Sequence, residues 1–258
     1  MHSDLYALVV ASVTGLVVGS FLNVAIFRLP RGESVVKGRS KCPNCRVTIA
    51  WYDNIPVLSY IILRGRCRHC GSRISPRYAV VEVISAAMAL LAVSQYGISL
   101  QALWTYLFLA ILLVITFVDW SHRIIPDVLS LGGIVLGWVG SLICLDIRLI
   151  DSLIGTAVGG GLLLSIALAY RLVRRVEGMG GGDIKLMAMI GAFLGWQMVF
   201  PVLLIASFFG AVYGIYLMGR GGKGQTAVAF GSFLAPSATV VLVFGSELWR
   251  HYANFFLG

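Results

Sequence analysis

The sequence predicts an all-α polytopic membrane protein of about eight transmembrane helices, with a small cytoplasmic zinc-knuckle domain between the first helix and the second. Three observations carry this expectation. Of 258 residues, 59% are hydrophobic and only 12% charged, and the mean hydropathy is +0.90, a balance that excludes an ordinary water-soluble core. The apolar residues fall in charge-free runs long enough to cross a hydrocarbon layer of about 30 Å. The excess positive charge, formally +9, collects between those runs.

Residues 5–27 carry no charge and form the first span. No basic residue precedes this run and no small-residue cleavage pattern follows it, so it is expected to be retained rather than removed as a signal peptide. Residues 83–118 are also uncharged, and as one helix they would be about 54 Å long, so they must fold back, around Ser94-Gln95-Tyr96-Gly97. The first limb begins near Ala79 and therefore carries Glu82, an acid expected to be buried and paired, with Arg77 as the candidate partner. Residues 128–145 and 152–170 are single spans. Residues 186–219 again exceed one crossing and turn at Gly195-Trp196-Gln197, and residues 225–246 make the eighth span. The expected domains are residues 1–29 (first transmembrane helix), 30–78 (a tetracysteine zinc-binding domain) and 79–258 (a helical membrane domain of about seven spans).

Basic loops stay in the cytoplasm. With the N-terminus outside, eighteen of the 20 Lys and Arg residues fall on the cytoplasmic side, among them Arg123, Lys185 and Lys223, and only Arg148 and Arg250 fall on the other. Both termini are then outside. The basic inner face suits anionic lipid headgroups, and the sequence holds no nucleic-acid-binding pattern.

Residues 30–78 are organised by cysteines. Cys42-Pro43-Asn44-Cys45 and Cys67-Arg68-His69-Cys70 are two CxxC knuckles, and four thiolates at this spacing suit one tetrahedral structural zinc in a loop too short for an apolar core. Two disulfides are the alternative, which a reducing cytoplasm disfavours. His69 is read as a surface residue and Cys144, alone in an apolar span, as a small buried hydrophobe.

Two carboxylates stand at membrane ends on the same predicted face. Asp183 closes the glycine-rich turn Gly178-Met179-Gly180-Gly181-Gly182 and precedes an apolar run; Asp119 ends another and is followed by Trp120 and Ser121-His122-Arg123-Ile124-Ile125-Pro126-Asp127. Asp183 could serve only to cap its helix, but a matched second acid suggests a dyad. Such a pair activates water with one ionised carboxylate and protonates a carbonyl oxygen with the other. A helix N-terminus and the neighbouring Lys185 favour the anion at Asp183, and a helix C-terminus disfavours it at Asp119, which inclines Asp183 to the base role and Asp119 to the acid role. Asp127, directly before a span, reads as an N-cap. His122 and Arg123 either meet a substrate or lie among headgroups, and Glu33 is the loop acid suited to touch a basic peptide.

These residues carry a resemblance. Gly19-Ser20-Phe21-Leu22-Asn23-Val24, Arg28-Leu29-Pro30, Gly32-Glu33-Ser34, the two CxxC knuckles, Asn54-Ile55-Pro56, Ile74-Ser75-Pro76-Arg77-Tyr78, Asp119 with Pro126-Asp127, and the Gly178–Asp183 turn together resemble the bacterial type IV prepilin peptidases, the GxGD-type intramembrane aspartic proteases. The sequence departs at Ala229-Phe230-Gly231-Ser232-Phe233-Leu234, where the family more often has Pro before the Phe and another after the Gly. The resemblance implies Asp119 and Asp183 as catalytic residues and residues 79–258 as a membrane protease domain. It also implies an enzyme of the bacterial inner membrane that removes the basic leader of type IV prepilins or type II secretion pseudopilins at the cytoplasmic face. That enzyme then methylates the new N-terminal residue, usually Phe, with S-adenosylmethionine. The methyl-donor claim rests on the resemblance alone, since no strand–glycine–helix pattern is present. A proton-coupled transporter or a non-catalytic zinc-containing assembly protein are the competing classes. A transporter usually keeps its acids near the midplane and often has internal repeats, and a scaffold does not explain two matched acids.

Overall fold

The computed structural model describes residues 2–176, 178–220 and 229–256, and all the long elements among them are α-helices. The chain divides into two compact units, Met1–Val114 and Ile115–Gly258.

The first unit contains α1 (His2–Arg28), the short α2 (Leu58–Ile62), α3 (Arg77–Tyr96) and the beginning of α4 (Leu100–His122). α1 and α3 run antiparallel: Asn23 near the end of α1 donates to the Tyr78 carbonyl at 2.9 Å, and the Gly15 carbonyl accepts from Ser85 at 2.8 Å. The Ser85 hydroxyl also meets the Tyr106 hydroxyl at 2.8 Å, tying α3 to α4 above a small core of Ala89, Ala92, Ala102 and Tyr106. The chain turns at Gly97, as the polar Ser94–Gly97 stretch predicts; its φ of 65° is one that glycine adopts without strain.

Glu82 is buried, as expected, but its partner is not Arg77. Its carboxylate accepts the Val57 backbone N–H at 2.7 Å, and Val57 sits at φ 59°, where a β-branched residue is strained. A buried carboxylate needs a donor, and a backbone amide brought in by the loop satisfies it without a second long side chain.

The second unit holds the last turns of α4, then α5 (Asp127–Ile143), α6 (Leu149–Arg174), α7 (Gly181–Leu194), α8 (Trp196–Gly219) and α9 (Gly231–Phe256). α7 is its axis: α5, α6, α8 and α9 all pack on it, and every residue from Leu186 to Phe193 is buried. Its contact with α6 is backbone on backbone. A Cβ at Gly159 would stand 2.5 Å from the Met187 carbonyl oxygen, and Gly155 and Gly191 press their main chains together in the same way. Side chains at these positions would drive the helices apart.

Among the described residues eight long helices overlap the eight predicted runs, with the second internal break at Gly195, and α9 continues to Phe256, past the predicted end at residue 246. Among the described residues five of them, α1, α3, α4, α6 and α8, are long and apolar enough to cross a membrane; α5 and α7 are shorter, with 17 and 14 residues. The predicted start of the last span at Gln225, Lys223 and the side chain of Arg250 lie outside the described residues.

Candidate functional site

Asp119 occupies the last turn of α4, 4% exposed, and the helix stops there because Arg123 turns left-handed at φ 54° and returns its N–H to the Asp119 carbonyl at 2.8 Å. Asp183 lies in the first turn of α7. It does not cap that helix: the N-cap is Gly180, and no side chain bonds the free amides there. The carboxylate is therefore free for other work.

The start of α9 brings the two acids together. A Cβ placed on Gly231 would lie 3.0 Å from Asp119 Oδ2 and 3.2 Å from Asp183 Oδ1, so the two oxygens can be no farther apart than about twice that distance. The first two backbone amides of α9 divide between the acids. Gly231 N–H donates to Asp183, and Ser232 N–H donates to Asp119 Oδ2 at 2.7 Å. The Ser232 hydroxyl adds a second bond to Asp119 Oδ2 at 3.0 Å. Amides in the first turn of a helix have no partner within it, and here both are used on carboxylates.

Two further contacts hold this junction. Ile125, in the segment between α4 and α5, stands 2.7 Å from the Gly231 Cβ position and 3.0 Å from that of Gly182, so it wedges between the starts of α7 and α9. Tyr213 of α8 packs on Trp120 and Phe233, the neighbours of Asp119 and Ser232, with centroid separations of 5.5 Å and 5.6 Å. Gly231, Ser232 and Ile125 were not singled out as site residues from the sequence. The available signal was a Gly-Ser pair opening an apolar run, the mark of a helix start.

Asp127 does not act as the N-cap. Pro126 holds that position, its carbonyl accepting from the amides of Leu129 and Ser130, and Asp127 is the first residue of α5 with its side chain turned to Lys185, 2.7 Å away. Lys185 is thereby engaged by Asp127, so the cation expected to favour the anion at Asp183 is committed elsewhere. Both partners of this pair are exposed. His122, Arg123 and Glu33 are exposed as well.

In the first unit the four predicted cysteines converge. One sulfur from each of Cys42, Cys45, Cys67 and Cys70 lies within 4.8 Å of all the others, with Cys42 and Cys70 3.8 Å apart, and no disulfide joins them. A tetrahedral zinc with Zn–S bonds of about 2.3 Å sets its sulfurs about 3.8 Å apart, so this set can hold such an ion. The two knuckles are built alike: Cys42 N–H bonds to the Val47 carbonyl and Arg46 N–H to that of Cys42, while Cys67 N–H bonds to Ser72 and Gly71 N–H to Cys67. The Ser72 hydroxyl and amide, with Asn44, bring the Cys70 thiol down to about 5, whereas desolvation and the neighbouring sulfurs push that of Cys45 up to about 11. Arg68 clamps the second knuckle onto Asp53 with three bonds of 2.6–3.0 Å, and its guanidinium holds the Asp53 carboxyl below the usual range.

Comparison with known proteins bears on both regions. Residues 13–96 match the family model described as the bacterial peptidase A24 N-terminal domain, and residues 106–215 that of the type IV leader peptidase family. The protein named prepilin leader peptidase/N-methyltransferase in Pseudomonas putida is 36% identical over 267 residues, covering 95% of this chain and 93% of its own. Those of the same name in Pseudomonas aeruginosa and Legionella pneumophila are each 34% identical, with coverage of 93% and 91%, and of 96% and 95%, respectively. No solved structure matches the chain.

Proposed function

The chain belongs to the type IV leader peptidase family, and from that membership we propose that Asp119 and Asp183 form the dyad with which it cuts the leader from prepilins. It is an endopeptidase and N-methyltransferase of the bacterial membrane. The observation that supports the dyad is the placement of an oxygen of each acid within 3.2 Å of one point beside Gly231. Two carboxylates that close cannot both ionise cheaply, so they share a proton and titrate as a unit. The ionised member takes a proton from water as the water attacks the scissile carbonyl, and the protonated member donates to the carbonyl oxygen. The α9 amides hold both carboxyls in place for that step.

The finer assignments follow the same reading. The substrates are prepilins and the pseudopilins of type II secretion, cut at the cytoplasmic face of the inner membrane, with both termini outside and the basic face toward anionic headgroups. Residues 1–29 are the first span, 30–78 the cysteine domain and 79–258 the protease domain. Cys42, Cys45, Cys67 and Cys70 hold one structural zinc, a reading supported by the mutual approach of their sulfurs. S-adenosylmethionine, which supplies an electrophilic methyl group, is the donor for methylation of the new N-terminus.

The experiment is incubation of the purified protein with a prepilin-like peptide, with and without S-adenosylmethionine, followed by mass measurement. Loss of the leader mass alone, and a further gain of one methyl with the donor present, is the expected result. An uncut peptide would overturn the proposal.

A further inference from the structure

We propose that Ser232 is a positioning residue for the proteolytic step, acting through Asp119; this rests on the dyad reading above. Ser232 is 6% exposed and makes two bonds to one oxygen, Asp119 Oδ2, from its amide at 2.7 Å and its hydroxyl at 3.0 Å. Because both land on the same oxygen, the carboxyl group cannot turn about its Cβ–Cγ bond without breaking both. The other oxygen, Oδ1, is thereby held in one direction.

The Thr116 carbonyl, one turn before Asp119 on α4, stands 3.4 Å from the hydroxyl as a longer, alternative acceptor for its single proton. The backbone amide alone fixes a distance, and the hydroxyl adds the second contact that fixes an angle. A proline in place of Ser232 could donate neither bond. The polar link between the start of α9 and Asp119 is thus a property of this chain's own residue.

The effect falls on the alignment of a reacting group and not on substrate affinity, so it belongs in kcat. The test uses the full-length protein in lipid nanodiscs and a synthetic peptide with a basic leader followed by Phe and an apolar segment, with kcat and KM measured by mass spectrometry. Ser232→Ala keeps the amide bond and loses the hydroxyl; its kcat is expected to fall about tenfold at unchanged KM, the scale of one lost hydrogen bond to a carboxylate. Ser232→Thr, which restores a hydroxyl, returns kcat toward wild type. Methyl transfer to a trimmed peptide is unchanged in both. Wild-type kcat in Ser232→Ala, a loss confined to KM, or a parallel loss of methyl transfer would each overturn the proposal. If Ser232→Ala does not accumulate, Ser232→Cys, near in size but a weak donor, takes its place with the same expected and overturning results. Asp119→Asn is run beside them. Its inactivity with fully active Ser232→Ala rejects the role of Ser232 alone, whereas an active Asp119→Asn rejects the dyad itself.

Discussion

Replacing Gly231 by Ala tests the site with a single methyl group. The added carbon would stand 2.7 Å from Ile125 Cδ1, 3.0 Å from Asp119 Oδ2 and 3.2 Å from Asp183 Oδ1. Comfortable contacts between carbon atoms begin at about 3.5 Å, so the Ile125 methyl must retreat by nearly 1 Å and each carboxyl by a few tenths. On its other side Ile125 faces the Gly182 main chain at the head of α7, where an added Cβ would lie 3.0 Å from Ile125 Cβ. The strain therefore passes to the acids and to the amides that hold them. Overpacking costs about 1–3 kcal/mol, and the better helix propensity of Ala returns up to about 1 kcal/mol, so stability should change little. A full 1 Å misplacement of reacting groups costs on the order of 100-fold in rate, so a few tenths of an ångström at each of the two carboxyls together costs up to about that much. Gly231→Ala is thus expected to cut the peptide about 10- to 100-fold more slowly than wild type, with a nearly unchanged unfolding temperature. The control is Gly161→Ala on α6, where an added Cβ meets nothing within 4 Å, and it should cleave normally. A Gly231→Ala protein that cleaves within about twofold of wild type would refute the placement of α9 against the dyad, since a shift of that size cannot leave the alignment intact.

Asp119→Asn and Asp183→Asn should each abolish leader removal in an inserted, folded protein, as measured by peptide mass. Asp127→Asn should be nearly silent, because an exposed pair such as Asp127–Lys185 contributes at most about 1 kcal/mol; an inactive Asp127→Asn beside an active Asp119→Asn would reverse the assignment. Elemental analysis should find about one zinc per chain, lost when Cys42, Cys45, Cys67 or Cys70 becomes Ser, and a metal-free protein with four reactive thiols would remove the zinc reading. Asp183→Asn should still transfer a labelled methyl group to a peptide supplied with a free N-terminal Phe, and loss of that transfer would mean that one site performs both steps.

What was legible in the sequence was whatever the bilayer and the cysteine spacing enforce. Charge-free runs have one use, and Gly97 and Gly195 mark where the two overlong runs break. Asp119 and Asp183 stood out because acids are costly beside such runs. The start of α9 was not legible, since Gly231 and Ser232 act through where they lie in space, far in sequence from either acid. The burial of Glu82 was legible, but its partner and that of Asp127 were not, for a related reason: each is satisfied by a distant group, the Val57 amide or Lys185, that nothing local announces.

The shortness of α7 and α5 bears on how a hydrolase inside a membrane obtains its water. With 14 and 17 residues they rise about 21 Å and 26 Å, short of the roughly 30 Å that a hydrocarbon layer occupies. A bilayer meets so short a segment by thinning, or by letting headgroups and solvent reach inward. Both helices carry their ionic groups, Asp127, Asp183 and Lys185, in the first turns and are apolar at the far ends, Ile143 and Leu194. The inward dip accordingly belongs at the aspartate end. A bilayer thinned at that end brings water closer to Asp119 and Asp183 than a full-thickness one would.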